Sequence, residues 1–270
     1  MTPRLFFNIL SVEARVRMSY RADFWINAVV GVLAEMGIAY FICTALFLGS
    51  GDAVHGGYSR DEMLLYYVAV ILIGRIVRST EFEGVVSTDI YEGGLNRYLV
   101  FPATYFPFKF AQHLGALIPL FLQMVVFGGA VALLFDLPPG VQPGWGTVAM
   151  TLVSLFFAGL LYFLMVYPIH AIAFWADNVW SLQVAHRLVS MFLGGAMLPL
   201  TLFPNWAQDV LLYLPFRYFY GWPTETLLGR MSFGDWAAGL GGAAVWCVVF
   251  GLIGRAVFRR GLLQYSGIGI

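Results

Sequence analysis

The sequence predicts an all-α membrane protein of six transmembrane helices, and three observations carry that prediction. Of 270 residues, 60% are hydrophobic and only 11% are charged. An aqueous domain of this size has no core large enough for so much apolar surface, so the solvent is lipid. Apolar runs recur along the whole chain, most of them long enough at 1.5 Å per residue to cross a hydrocarbon layer of about 30 Å. The basic residues, finally, fall on alternate connections between those runs. Arg4, Arg15, Arg17, Arg21, Arg75, Arg78, Arg97, Lys109, Arg187, Arg255, Arg259 and Arg260 share one side, and only Arg60, Arg217 and Arg230 remain for the other. The positive-inside rule then places both termini in the cytoplasm.

Residues 1–23 form the first element. Leu5, Phe6, Ile9, Leu10, Val12, Val16 and Tyr20 recur at helical spacing among Arg4, Glu13, Arg15, Arg17 and Arg21. Two readings fit: an amphipathic helix in the headgroup layer, or a juxtamembrane helix whose arginines set orientation. The segment lacks the short apolar core and small-residue cleavage site of a signal peptide.

Phe24 to Leu48 is the first span, with Glu35 near its middle. The second, Met63 to about Val77, is short and ends in Arg75 and Arg78, which must snorkel to the headgroups. About Tyr105 to Phe135 is the third, with Pro119 inside it. The turn-rich DLPPGVQPGWG then marks an external loop. Thr147 to about Ala173 is the fourth span, Leu182 to Phe203 the fifth and Trp236 to Phe258 the sixth. Between the last two, residues 204–234 contain WAQDVLLYL and TETLLGR, too short to span and separated by Pro215 and Pro223. They predict two re-entrant helices in the outer leaflet, with Trp206, Tyr213, Tyr218, Tyr220 and Trp222 at the interface. The chain reads as a single membrane domain over residues 1–270.

The longest polar interruption lies at residues 79–104. Glu81, Glu83, Asp89 and Glu92 crowd its first half, and Gly93-Gly94 separates them from Arg97. Phe82, Val85 or Val86, and Ile90 follow helical spacing, so a short surface helix competes with a solvated connector.

Taken together, these features resemble the ABC-2 type permeases, the membrane subunits of a large class of bacterial ABC exporters. The resemblance covers the whole chain, and two passages sharpen it: IYEGGLNRYLVFPATYFPFKF after the second span, and LPFRYFYGWPTETLLGR before the last. It implies the fold of a type V exporter-like permease, with a cytoplasmic coupling helix and an external re-entrant element. It implies alternating access in a bacterial inner membrane, as a dimer with a second copy or a paralogous permease, among membrane lipids. A separate ABC ATPase subunit would supply ATP and Mg; this chain would bind no cofactor itself and catalyse no reaction. The sequence agrees with the division of labour, having no G-x-x-x-x-G-K-[ST] phosphate loop. Under the resemblance, Glu81, Phe82, Glu83, Val86, Asp89, Ile90, Tyr91 and Glu92 become the coupling surface for the ATPase, apolar side chains filling its cleft and carboxylates setting orientation.

Glu35 is a candidate for the translocation path, because an ionised carboxylate at mid-membrane is costly. Its structural reading is a neutral, hydrogen-bonded residue at a helix contact. Arg75 is a tempting partner, but simple helical rise sets the two at different depths. Gln123 is a second path candidate, most simply explained by one interhelical hydrogen bond.

Other function classes find less support. Fifteen basic and fifteen acidic residues balance to zero with no basic run, so nucleic acid is not an expected partner. Cys43 and Cys247 sit in apolar runs without metal-ligand spacing. A proton-coupled secondary carrier, with Glu35 as its switch, would be expected to show an inverted repeat with interrupted helices. An integral-membrane lipid-modifying enzyme would need clustered nucleophiles and bases; His55, His113, His170 and His186 are scattered, although His170 and His186 flank a short turn near Asp177.

Overall fold

A computed structural model describes residues 2–19, 21–48, 56–78, 85–100, 104–134, 138, 141 and 144–265. Eleven α-helices carry this part of the chain: α1 Pro3–Ser19, α2 Arg21–Phe47, α3 Arg60–Val77, α4 Val85–Tyr91, α5 Leu95–Val100, α6 Tyr105–Leu134, α7 Trp145–Ala171, α8 Trp180–Leu193, α9 Asn205–Tyr213, α10 Gly221–Leu227 and α11 Phe233–Leu262. No strand occurs among the described residues.

Four helical stretches are long and apolar enough to cross a bilayer: Ala22–Phe47, Tyr105–Leu134, Trp145–Phe174 and Phe233–Leu262. Where six spans are expected, α3 and α8 fall short of this measure. The 18 residues of α3 include four charges, Arg60, Asp61, Glu62 and Arg75, and the helix is buried on nearly every side, from Met63 and Tyr66 to Ile76 and Val77. A helix that is apolar all round belongs in the middle of a bundle, and α3 packs against α2, α6, α7 and α10. Its start is capped reciprocally, Ser59 Oγ accepting from the Glu62 amide and Glu62 accepting from the Ser59 amide.

The expected fifth span, Leu182 to Phe203, is not one helix. α8 stops at Leu193 because Gly194 and Gly195 turn the chain, Gly195 with φ of 93°. A Cβ on Gly194 would strike the carbonyls of Ser190 and Phe216. The Gly194 carbonyl instead accepts from the Gly221 amide at 2.8 Å, which ties the break to α10.

The five aromatics expected at an interface divide. Trp206 and Tyr213 are exposed, but Tyr218, Tyr220 and Trp222 are buried, and for these three the interfacial expectation is wrong. The reason lies on α11, where Gly239 and Gly242 leave room for the Trp222 and Tyr218 rings that any Cβ would fill. Small residues let an aromatic ring approach a helix backbone in the same way that they let helices approach one another.

α1 lies along α6. Leu10 meets Gly115 so closely that a Cβ there would collide with the Leu10 carbonyl. Phe6 packs on Phe110 at 6.1 Å between ring centroids, and the Gln112 amide donates to Glu13 at 3.3 Å. Phe7, Val12 and Val16 stay exposed.

Candidate functional site

Two places concentrate polar chemistry in this apolar bundle. The first is α4, seven residues long, at the end of the bundle where α6 and α8 begin and α7 and α11 finish. Asp89 is its hub. Its carboxylate accepts from Lys109 Nζ at 2.7 Å and from the Tyr105 hydroxyl at 2.9 Å, with Arg97 farther off at 3.8 Å. Lys109 is only 3% exposed, and its ammonium also lies over the rings of Tyr98 and Tyr105. A lysine this deep requires a counter-ion, and Asp89 provides it. The turn that follows is built around the same carboxylate: Gly93 has φ of 70°, and a Cβ on Gly94 would approach Asp89 Oδ1 to 2.9 Å.

Two further ties hold α4. Ser87 Oγ lies 3.2 Å from His170 Nδ1, and the Gln183 amide reaches both, at 3.0 Å from His170 and 3.4 Å from Ser87. The Tyr91 hydroxyl donates to the Ala176 carbonyl at 2.9 Å, and burial pushes that phenol above its ordinary pKa. α4 is therefore clasped to the start of α6, the end of α7 and the start of α8. Of the expected coupling residues, Val86, Asp89 and Ile90 are buried in the chain's own packing, Tyr91 is half-buried, and Glu92 is exposed beside Thr88. Glu81, Phe82 and Glu83 lie outside the described residues.

The second place is a cleft of about 680 Å³ between α1, α2, α3 and α6. Glu13, Arg17, Asp23, Asn27, Glu35, Arg75 and Arg78 are its polar lining, and Phe24, Ala116, Pro119 and Leu120 are among its apolar wall. The expected depth mismatch concerns Glu35 and Arg75, and no ion pair joins those two among the described residues; the cation that reaches Glu35 is Arg78. Arg78 sits just past the end of α3, but its side chain folds back over Gly74, with Nε 3.4 Å from the Gly74 carbonyl, and Nη2 comes within 3.8 Å of Glu35. Glu35 thus faces a cation at the edge of a cleft, rather than a neutral helix contact. Gln123 makes two interhelical hydrogen bonds rather than one, donating to the Phe24 carbonyl at 3.1 Å and accepting from Arg75 at 3.4 Å. Glu35 lines the cleft beside Arg78, whereas Gln123 is buried behind it and bonds to Arg75.

Lys109, Ser87, Gln183, Arg75 and Arg78 were not among the site residues read from sequence. A usable signal existed for Lys109, a cation opening an apolar span. None existed for Ser87 or Gln183, whose role depends on which helices meet.

Of the remaining histidines, His55 lies outside the described residues, and His113 and His186 pack within the bundle. His113 stacks on Phe163 at 4.8 Å, and His186 lies 3.3 Å from Ser190 Oγ. No group of three or more metal-ligating residues occurs among the described residues. Both cysteines are buried and free.

Comparison with curated proteins and with solved structures returns no significant match. The family model described as ABC-2 family transporter protein matches residues 33–269, nearly the whole chain. That match takes in three of the membrane-length helices whole, the fourth from residue 33 onward, and the clasped α4. The chain is a multi-pass membrane permease belonging to the ABC-2 transporter family.

Proposed function

We propose that this chain is the permease subunit of an ATP-driven exporter in a bacterial inner membrane, pairing with a second permease and driven by a separate ABC ATPase that docks on the α4 end. The observation that carries the reading is the clasp on α4. A force applied to this short helix is transmitted through Asp89 to Lys109 at the start of α6, through Ser87 to His170 and Gln183, and through Tyr91 to the α7–α8 turn. A mere connector needs no buried ion pair and no two-helix hydrogen-bond bridge. On this reading the contact residues divide by role: Glu81, Phe82, Glu83, Thr88 and Glu92 meet the ATPase, while Val86, Asp89, Ile90 and Tyr91 relay its movement inward. The end carrying α4 is cytoplasmic on this reading, which the arginine distribution supports, and α9 and α10 face the exterior. ATP binding draws the ATPase subunits together, α4 and α1 move with them, and the permease pair reshapes the path that includes the cleft lined by Glu35.

The test is purification of the chain from its host in mild detergent with identification of what accompanies it, followed by charge reversal of Glu83 with Glu92. The expected result is recovery of an ABC ATPase whose hydrolysis no longer responds to the permease in the double variant. Unchanged ATPase stimulation and unchanged transport in that variant would overturn the coupling assignment.

A further inference from the structure

The cleft between α1, α2, α3 and α6 is lined by three guanidinium groups, Arg17, Arg75 and Arg78, and three carboxylates, Glu13, Asp23 and Glu35, but they are not paired one to one. Arg17 is spoken for by Glu13 at 3.1 Å. Arg78 has Glu35, but at a loose 3.8 Å. Arg75 has no carboxylate within ion-pair distance among the described residues; its one side-chain bond is to neutral Gln123, and its Nε is buried without a hydrogen-bond partner. A guanidinium inside a membrane bundle is costly unless an anion and acceptors surround it.

The backbone around the two arginines is shaped for them. Gly31 on α2 stands where a Cβ would come within 3.1 Å of an Arg75 terminal nitrogen, and Gly74 on α3 where one would come within 3.0 Å of Arg78. Both guanidinium groups lie in seats left by glycines and both line the same cleft. The facing wall is apolar, made by Phe24, Ala116, Pro119 and Leu120. A volume of about 680 Å³ falls within the range of small-molecule sites and greatly exceeds one phosphate ion.

We infer that this cleft binds the phosphodiester headgroup of a phospholipid, the phosphate on Arg75 and Arg78 and the glycerol and upper acyl carbons along Phe24 and Leu120. The planar guanidinium fork matches two phosphate oxygens at once. The carboxylates of Asp23 and Glu35 on the same cleft favour a single phosphodiester over a polyanion. The inference rests on reading the cleft as part of the transport path, and it names the chemical class of what lodges there. The apolar wall decides between sources, since a phosphate ion arriving from water has no use for it.

The experiment is native mass spectrometry of the full-length chain, delipidated and titrated with phosphatidylethanolamine, phosphatidylglycerol, diacylglycerol or inorganic phosphate. Both phospholipids are expected to remain bound and diacylglycerol is not. Arg75→Gln is expected to weaken retention at least tenfold, and Arg230→Gln, at the other end of the bundle, to leave it unchanged. Gly31→Val serves as a second variant that keeps every charge but fills the seat of the guanidinium, and it is expected to weaken retention as well. Equal binding of diacylglycerol, inorganic phosphate competing as well as lipid, wild-type retention in both Arg75→Gln and Gly31→Val, or equal loss in Arg230→Gln would each overturn the site. Since no ATPase enters this measurement, loss of the lipid site and loss of the coupling assignment are read separately.

Discussion

Asp89 shows how much one residue can organise. The carboxylate holds a buried lysine, a buried tyrosine hydroxyl and the turn after α4 together. Removing one partner of such a pair leaves a bare buried charge, at a cost of about 3–5 kcal/mol. Lys109→Met or Asp89→Asn alone is therefore expected to lower the unfolding temperature in detergent substantially, while the double variant recovers most of the loss; a simple sum of the two single effects would count against the pairing. Glu62 is the corresponding residue at the opposite end. The Ser59 backbone amide, helped by the Ser59 hydroxyl and by Arg230 at 3.0 Å, holds its carboxyl below the usual range. A depressed folded pKa contributes stability that is present in full above the unfolded value of about 4.3 and fades as pH falls through the folded one. Acid titration of thermal stability should show this loss in the wild type and a flatter profile in Glu62→Gln.

Among the elements, α1 and α8 depend most on their neighbours. The amphipathic pattern of α1 fits a helix adsorbed on lipid, yet the side carrying Phe6, Leu10 and Glu13 is committed to α6. The contact turns on Gly115, four residues before Pro119, where the α6 ladder already lacks one amide donor. Gly115→Leu is expected to detach α1 and open Arg15 and Arg17 to trypsin while α6 to α11 keep their resistance. For α8, the break at Gly194-Gly195 is what lets Tyr66 and Tyr67 of α3 donate to the carbonyls of Gly195 and Met197 at 2.7 and 3.1 Å. Gly195→Ala forces a left-handed backbone on a residue with a Cβ, at about 1–3 kcal/mol, and crowds the Tyr66 hydroxyl. Reduced thermal stability in that variant, with no loss in Gly241→Ala, where a Cβ meets open space, checks the assignment.

For the whole molecule, α3 is the axis and the charged groups gather at its two ends. Glu62 and Arg230 close one end, Arg230 lying 3.8 Å over the Tyr58 ring and donating to the Gly57 carbonyl at 3.0 Å. Arg75, Arg78 and the α4 clasp occupy the other. Cys43 and Cys247 are buried within the bundle, so a polar maleimide should label neither in the folded protein and both after denaturation; labelling of native protein would mean that α2 or α11 packs otherwise. Helicity, membrane solvent, the four longest helices and the short helix at 205–213 were legible from composition, apolar run length and proline placement, because each is a property of a local window, whereas the helix expected at 224–230 starts at Gly221 with Pro223 inside it. The depth of Arg78, the burial of Trp222 and the Ser87–His170–Gln183 bridge were not legible. Helical periodicity says which residues share a face, but not which face meets which, and a long arginine can reach several ångströms along its own helix. Lipid accepts an apolar surface wherever it points, so in this chain polarity alone could not distinguish a side chain facing the bilayer from one facing another helix. Only the packing of α3 among its neighbours decided which charges meet.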